Sequence, residues 1–278
     1  MGYMWSLLET IQTNPFIQAA LIAGLAASIV GGTVGSYVVV KRIAFISGSI
    51  AHCVLSGLGI TLWLRYAYDL PWLSPVYGAL GAALLAAFVM GWVHQYYRER
   101  EDTIMAAMWS IGTAVGVVFI SQTPGFNSEL MNFLFGNILW VSREELVLLA
   151  CLDIVVLLVI SLFHKQFLAI CFDEEQAYLQ GIPVTTFYFL LLALIAISSV
   201  LLIQVVGTAL VITMLTIPAT IANTFTRRLT PMMALAIGLN IFFCFTGTAL
   251  AFYLNWPPGA SIAILSGVIY FATLLFGK

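Results

Sequence analysis

The chain has 278 residues, of which 62% are hydrophobic and only 8% charged, with 10 Lys and Arg against 12 Asp and Glu. Soluble domains carry about 25% charge, so this composition excludes a soluble enzyme or binding module and points to an integral membrane protein with little mass outside the bilayer. A formal net charge of −2 leaves no basic surface for nucleic acid or another polyanion.

Crossing about 30 Å of hydrocarbon takes roughly twenty apolar residues. Such runs lie at 15–40, 43–64, 74–95, 104–121, 143–163, 185–204, 206–225, 231–254 and 260–277. They predict an all-α polytopic membrane protein, one transmembrane domain over 1–278 with about nine spans, eight to ten being compatible with the pattern. The sixth and seventh runs are only weakly separated, at 204–207. Segment 130–141 is apolar but too short to cross, as in a re-entrant or interfacial piece buried against protein. The first fourteen residues hold Glu9 and no Lys or Arg, so no cleavable signal peptide is expected. Cys53, Cys151, Cys171 and Cys244 are scattered, with no CxxC pair or disulfide framework.

Small residues recur along the first span (Gly24, Ser28, Gly31, Gly32, Gly35, Ser36), the third (Gly78, Gly81, Ala82) and the fourth (Gly112, Gly116), as they do where helices pack closely. In the seventh, Pro218 among Thr213, Thr216 and Thr220 predicts a kink whose freed carbonyls are satisfied by neighbouring hydroxyls.

With the N-terminus outside, Lys41, Arg42, Arg98, Arg100, Lys165, Arg227, Arg228 and Lys278 fall inside, and only Arg65 and Arg143 fall outside. That bias predicts a cytoplasmic C-terminus and a cytoplasmic location for the polar island 172–183. Within the island, Asp173 is placed to cap a helix start and Glu174 and Glu175 to occupy its first turn, where the helix dipole favours negative charge. Gly181 suits a left-handed C-terminal position, and Pro183 prevents continuation. The result is about two turns of surface helix. Local sequence grammar fits a docking segment and a merely solvated connector equally well.

Inside the spans, Ser49, His52, Cys53 and Ser56 share one helical face, with His52 near the bilayer midplane. Imidazole and thiol suit transition metals, although a neutral His52 bonded to another helix with Cys53 as a small hydrophobe explains the same residues. Asp153 is the carboxylate in the middle of a span, at a depth like that of His52: a metal ligand, a way-station for a cation, or a protonated, hydrogen-bonded group. Asn137, Gln204, Asn223 and Asn240 read as helix–helix contacts, and His94 and His164 as solvated interfacial residues. There is no GxxxxGK[ST] phosphate loop and no HExxH, GxSxG or CxxC…CxxC arrangement, so neither P-loop ATP binding nor an enzyme active site is expected in this chain.

Several motifs in order carry a family resemblance over nearly the whole chain. They are the Gly-rich first span ending in Tyr37-Val38-Val39-Val40-Lys41-Arg42, then Ala51-His52-Cys53-Val54-Leu55-Ser56-Gly57, and Leu134-Phe135-Gly136-Asn137-Ile138-Leu139 with Val141-Ser142-Arg143-Glu144-Glu145-Leu146. A DxExAxxxG segment (Asp173, Glu175, Ala177, Gly181), Gly207-Thr208-Ala209-Leu210 through Ile217-Pro218-Ala219, and Arg227-Arg228 complete the series. The sequence resembles the permeases of ABC transporters for zinc, manganese and iron uptake in the cytoplasmic membrane of bacteria and archaea. The resemblance implies a homodimer carrying two copies of a separate cytoplasmic ATPase, which binds the ATP, and an extracytoplasmic metal-binding protein as donor. It implies that 172–183 is the coupling segment and that His52 meets the transported divalent metal, with no cofactor in this chain. Many relatives carry an aspartate four residues before that histidine. Here the position is Gly48, which leaves Cys53 or Asp153 to substitute, or a transient site. A second reading of the same chain is a proton- or sodium-driven secondary transporter with Asp153 as the titrating group.

Overall fold

The computed structural model describes residues 15–96, 101–124, 136, 143–254 and 256–276. Ten helices run through them: α1 (Pro15–Lys41), α2 (Ala44–Ala67), α3 (Pro75–Tyr96), α4 (Glu101–Ser121), α5 (Arg143–Phe172), α6 (Glu174–Leu179), α7 (Val184–Val206), α8 (Thr208–Phe225), α9 (Leu229–Leu254) and α10 (Pro258–Phe276). Among the described residues there is no strand. Eight of the helices are long and apolar enough to cross a membrane, and α8 adds a shorter apolar run, Leu210–Phe225. These helices occupy the nine apolar runs of the sequence. The leader expectation for the first fourteen residues and the re-entrant expectation for 130–141 lie outside the described residues, Gly136 excepted.

The fifth helix departs from expectation at its end. Instead of stopping near 163 it continues through Phe172, with non-helical dihedrals at Phe163 (φ −111°, ψ 18°). The polar residues His164, Lys165 and Gln166 follow directly on this kink, so the expected end of the apolar run coincides with a break in the helix, beyond which a second helical stretch continues. The weak separation between the sixth and seventh runs is a single residue, Gly207, at φ 83° and ψ 163°. Only glycine occupies that region without strain, so one residue breaks the chain between α7 and α8.

Helix α2 packs on α4 and α3, and α1 packs on α9, α8 and α5, while α7 touches both groups. Small residues set these distances, because lipid-like surroundings leave close van der Waals contact as the main attraction between helices. A Cβ added to Gly35 would overlap the backbone of Leu215 on α8, and one added to Gly57 would overlap that of Gly78 on α3.

The kink chemistry at Pro218 differs from the expectation. Pro218 has no N–H for the carbonyl of Met214, four residues back. The Asn240 side chain on α9 donates to that carbonyl at 3.1 Å. The hydroxyls of Thr216 and Thr220 bond instead to Ile212 and Thr216 carbonyls, at 2.6 and 2.7 Å. A threonine reaches only its own preceding turn, whereas an amide on a neighbouring helix reaches the orphan carbonyl.

Candidate functional site

The face holding Ser49, His52, Cys53 and Ser56 divides in two. Ser49 and Cys53 are buried and turned to α4: the Ser49 hydroxyl lies 3.0 Å from the carbonyls of both Met105 and, on its own helix, Phe45, and the Cys53 thiol donates to the Met108 carbonyl at 3.3 Å. His52 and Ser56 are only half-buried and lie on the open flank of the pair. The His52 ring stacks on Trp109 of α4, with centroids 4.0 Å apart and an interplanar angle of 18°. Its Nδ1 lies 3.3 Å from the Thr113 hydroxyl, which also faces the Trp109 carbonyl at 2.8 Å. A hydroxyl has one proton, and the shorter contact takes it. Nδ1 therefore carries the hydrogen and donates to Thr113, leaving the Nε2 lone pair free. This is the tautomer that a metal-ligating imidazole adopts when its other nitrogen is held by an oxygen.

Asp153 stands apart. It is 7% exposed on α5, and its Oδ1 has no hydrogen-bond partner among the described residues. Its helix packs chiefly on α1 and α7, whereas His52 and Cys53 sit between α2 and α4. Among the described residues no three His, Cys, Asp or Glu side chains gather into a metal-sized cluster. Of the three residues singled out as metal candidates, His52 and Cys53 are neighbours on α2 and Asp153 lies apart on α5; His52 Nε2 and Asp153 Oδ1 have no hydrogen-bond partner among the described residues.

At one end of the bundle, α6 takes the form its sequence dictates. Asp173 is its N-cap, with Oδ1 accepting from the Gln176 amide at 3.0 Å, and Glu174 and Glu175 fill the first turn. Gly181 adopts φ 79°; its amide donates to Tyr178 O at 2.9 Å, and the next, Ile182, reaches back to Ala177 O at 3.1 Å. That wrapped C-terminus needs a residue tolerating positive φ. Ala177 is the buried contact at 1% exposure, while Tyr178 and Leu179 project at 74% and 84%. Beside it, Lys165, Leu168, Ala169, Phe172 and Gln180 line an open groove of about 250 Å³.

Residues 13–277 match the ABC 3 transport family. The chain belongs to that family. It is 48% identical over 264 residues to the "Probable metal transport system membrane protein" of Chlamydia muridarum, covering 95% of this chain and 90% of that one. It is 30% identical over 276 residues to the "Manganese transport system membrane protein MntC" of Halalkalibacterium halodurans, covering 99% and 92%. Among solved structures it is similar to PsaBC from Streptococcus pneumoniae in complex with Fab, with a TM-score of 0.86, 28% identity, and coverage of 97% and 95%.

Membership makes the chain a membrane-spanning component of an ABC transport system, as the ordered motifs implied, and sets aside the gradient-driven alternative. The position of Gly48 acquires a packing context. A Cβ there would come within 2.8 Å of Ile212 Cδ1 on α8 and 3.6 Å of the Trp109 ring. The space beside His52 that a carboxylate would fill is taken by the far end of the Ile212 side chain.

Sequence reasoning missed two histidines of this family member by reading them as solvated. His164 Nδ1 shares a 2.7 Å hydrogen bond with the hydroxyl of fully buried Tyr37 on α1. His94 stacks on Tyr188 of α7, with centroids 4.7 Å apart. The signal for the first was available: Tyr37 is a phenol at the end of an apolar span, and a buried hydroxyl needs a partner.

Proposed function

We propose that this chain is the permease subunit of an ATP-driven importer of a divalent first-row metal, manganese before zinc or iron. It works as a homodimer with two copies of a cytoplasmic ATPase, which binds and hydrolyses the ATP, and receives metal from an extracytoplasmic binding protein. Relatives named for metal and manganese transport support the cargo. The single observation carrying the coupling role is α6. It is a two-turn helix capped at both ends, anchored by Ala177 and presenting Tyr178 and Leu179 outward, the geometry of a knob seated in a partner's groove. In this reading its end of the bundle is cytoplasmic, and Asp173, Glu175, Ala177 and Gly181 shape the knob.

His52 is the group that meets the ion. Its free Nε2 is a borderline donor acceptable to manganese, iron and zinc, and a single protein ligand suits a conduit, since an ion held by a full cage would not leave. Cys53 forms the wall behind it. Asp153 serves elsewhere, as a buried carboxyl on the α1–α5 side.

The test is reconstitution in proteoliposomes with the ATPase and binding protein. Wild type should accumulate manganese only with ATP. Ala177→Asp, which forces a carboxylate into the buried contact, should insert normally but fail to bind or stimulate the ATPase. Metal uptake persisting without any ATPase, or an undisturbed Ala177→Asp complex, refutes the reading.

A further inference from the structure

Helix α5 spans 30 residues but is not one rod, because Phe163 leaves helical geometry. Just before it, the Ser161 hydroxyl donates to the Leu158 carbonyl at 2.8 Å, the kind of side-chain competition that bends helices. The break divides α5 into an upper part that carries Asp153 and a lower part, 164–172, that leads into α6.

The lower part is fastened to the end of α1. Tyr37 bonds His164 at 2.7 Å, and the Lys41 ammonium donates to the Ile170 carbonyl at 2.8 Å and pairs with Glu174 of α6. The Tyr37 ring meets Phe167 edge-on with centroids 5.7 Å apart. Tyr37 and Lys41 are one turn apart on α1, so a single helix face makes all of these contacts. Among the described residues no side-chain hydrogen bond joins α5 above Phe163 to α1. Further along, α1 is locked to two more helices: a Cβ on Gly35 would overlap Leu215 of α8, and one on Gly32 would lie 2.6 Å from the Ile237 amide of α9.

We propose that Tyr37 and Lys41 clamp the lower part of α5 and α6 to α1 across a hinge at Phe163, making α1 the element that carries movement of α6 to α8 and α9. This rests on the permease reading above. Tyr37 and Lys41 are positioning residues in it, touching neither metal nor nucleotide. The consequence for the pathway is direct. Helix α8 presents Ile212 to Gly48, one turn from His52, so displacing the α1–α8–α9 group against the α2–α4 pair changes the wall beside the imidazole.

The experiment uses the complete transporter in proteoliposomes and reads both ATP hydrolysed and manganese imported. In the Tyr37→Phe/Lys41→Met double variant, ATP hydrolysis should stay near wild type while manganese imported per ATP falls about five-fold or more, and Tyr37→Phe/Lys41→Arg should recover most of it. An unchanged ratio in the Met variant overturns the clamp. Failure of wild type itself to import manganese with ATP would instead overturn the permease reading. Should the double variant not assemble, distances between spin labels decide, with one labelled protomer per complex. From the nucleotide-free to the ATP-bound state, labels at Arg42 and Gln176 should keep their separation while labels at Ile154 and Gln176 change theirs. Equal changes in both pairs overturn the hinge.

Discussion

Lys41 on α1 and Glu174 on α6 form the one carboxylate–ammonium pair among the described residues, and the same ammonium also donates to the Ile170 carbonyl. A charge at the end of the first apolar span is thereby tied to a helix more than 130 positions later in the chain. The pair is partly exposed, so its worth lies more in geometry than in energy.

That distinction gives a first expectation. Glu174→Gln should lower the stability of the detergent-solubilised chain by less than about 1 kcal/mol, because a solvent-screened pair gains little. Thermal unfolding followed by circular dichroism checks it. A drop of several kcal/mol would mean that the pair is far less hydrated than its exposure indicates.

His52→Ala should cut manganese uptake by about ten-fold or more, the equivalent of roughly 1.4 kcal/mol of lost ion stabilisation. The half-buried ring contributes mainly its stacking on Trp109 to the fold, so the variant should still insert and bind the ATPase. Thr113→Val, which removes the oxygen holding Nδ1, should give a smaller loss in the same assay. Unchanged uptake in His52→Ala would return the histidine to a packing role.

Two glycine substitutions should behave oppositely. In Gly48→Asp the new Cβ meets the far end of the Ile212 side chain, which can rotate away, so the variant should fold and place a carboxylate near His52. Its apparent KM for manganese should fall, read from the concentration dependence of uptake. In Gly35→Ala the new methyl meets the Leu215 backbone, which has no rotamer to change. A loss of about 1–3 kcal/mol is expected from such overpacking, seen as a lower unfolding temperature.

Asn240→Leu keeps the branching and heavy-atom count of a fully buried side chain but leaves the Met214 carbonyl without a donor. The expected cost is about 1–2 kcal/mol, the scale of an interhelical polar contact in a membrane bundle. Combining it with Pro218→Ala, which returns an amide to that carbonyl, should recover most of the loss. A double variant no better than the single would remove Pro218 from the explanation.

Much of this architecture was readable because apolar length and punctuation are local properties. The spans follow from hydrophobic runs, and α6 follows from Asp173, Gly181 and Pro183. What escaped were relationships between distant positions. The grouping of His52 with Trp109 and Thr113, the bond of His164 to Tyr37 and the rescue of Met214 by Asn240 each depend on which helix lies beside which, and apolar periodicity says little about neighbours when lipid is as apolar as a helix. The same limit explains Cys53 and Asp153. That both lie within long apolar helices was legible, but which neighbour each one faces was not.

The outward-facing side chains of α6 bear on how the chain is kept in the cell. Phe172, Tyr178 and Leu179 are large apolar side chains left uncovered within the chain, and on the permease reading the ATPase is what covers them. On that reading, a copy made in excess of the ATPase would offer these side chains to chaperones and proteases, so the number of complete transporters would be matched to the scarcer subunit by degradation of the surplus.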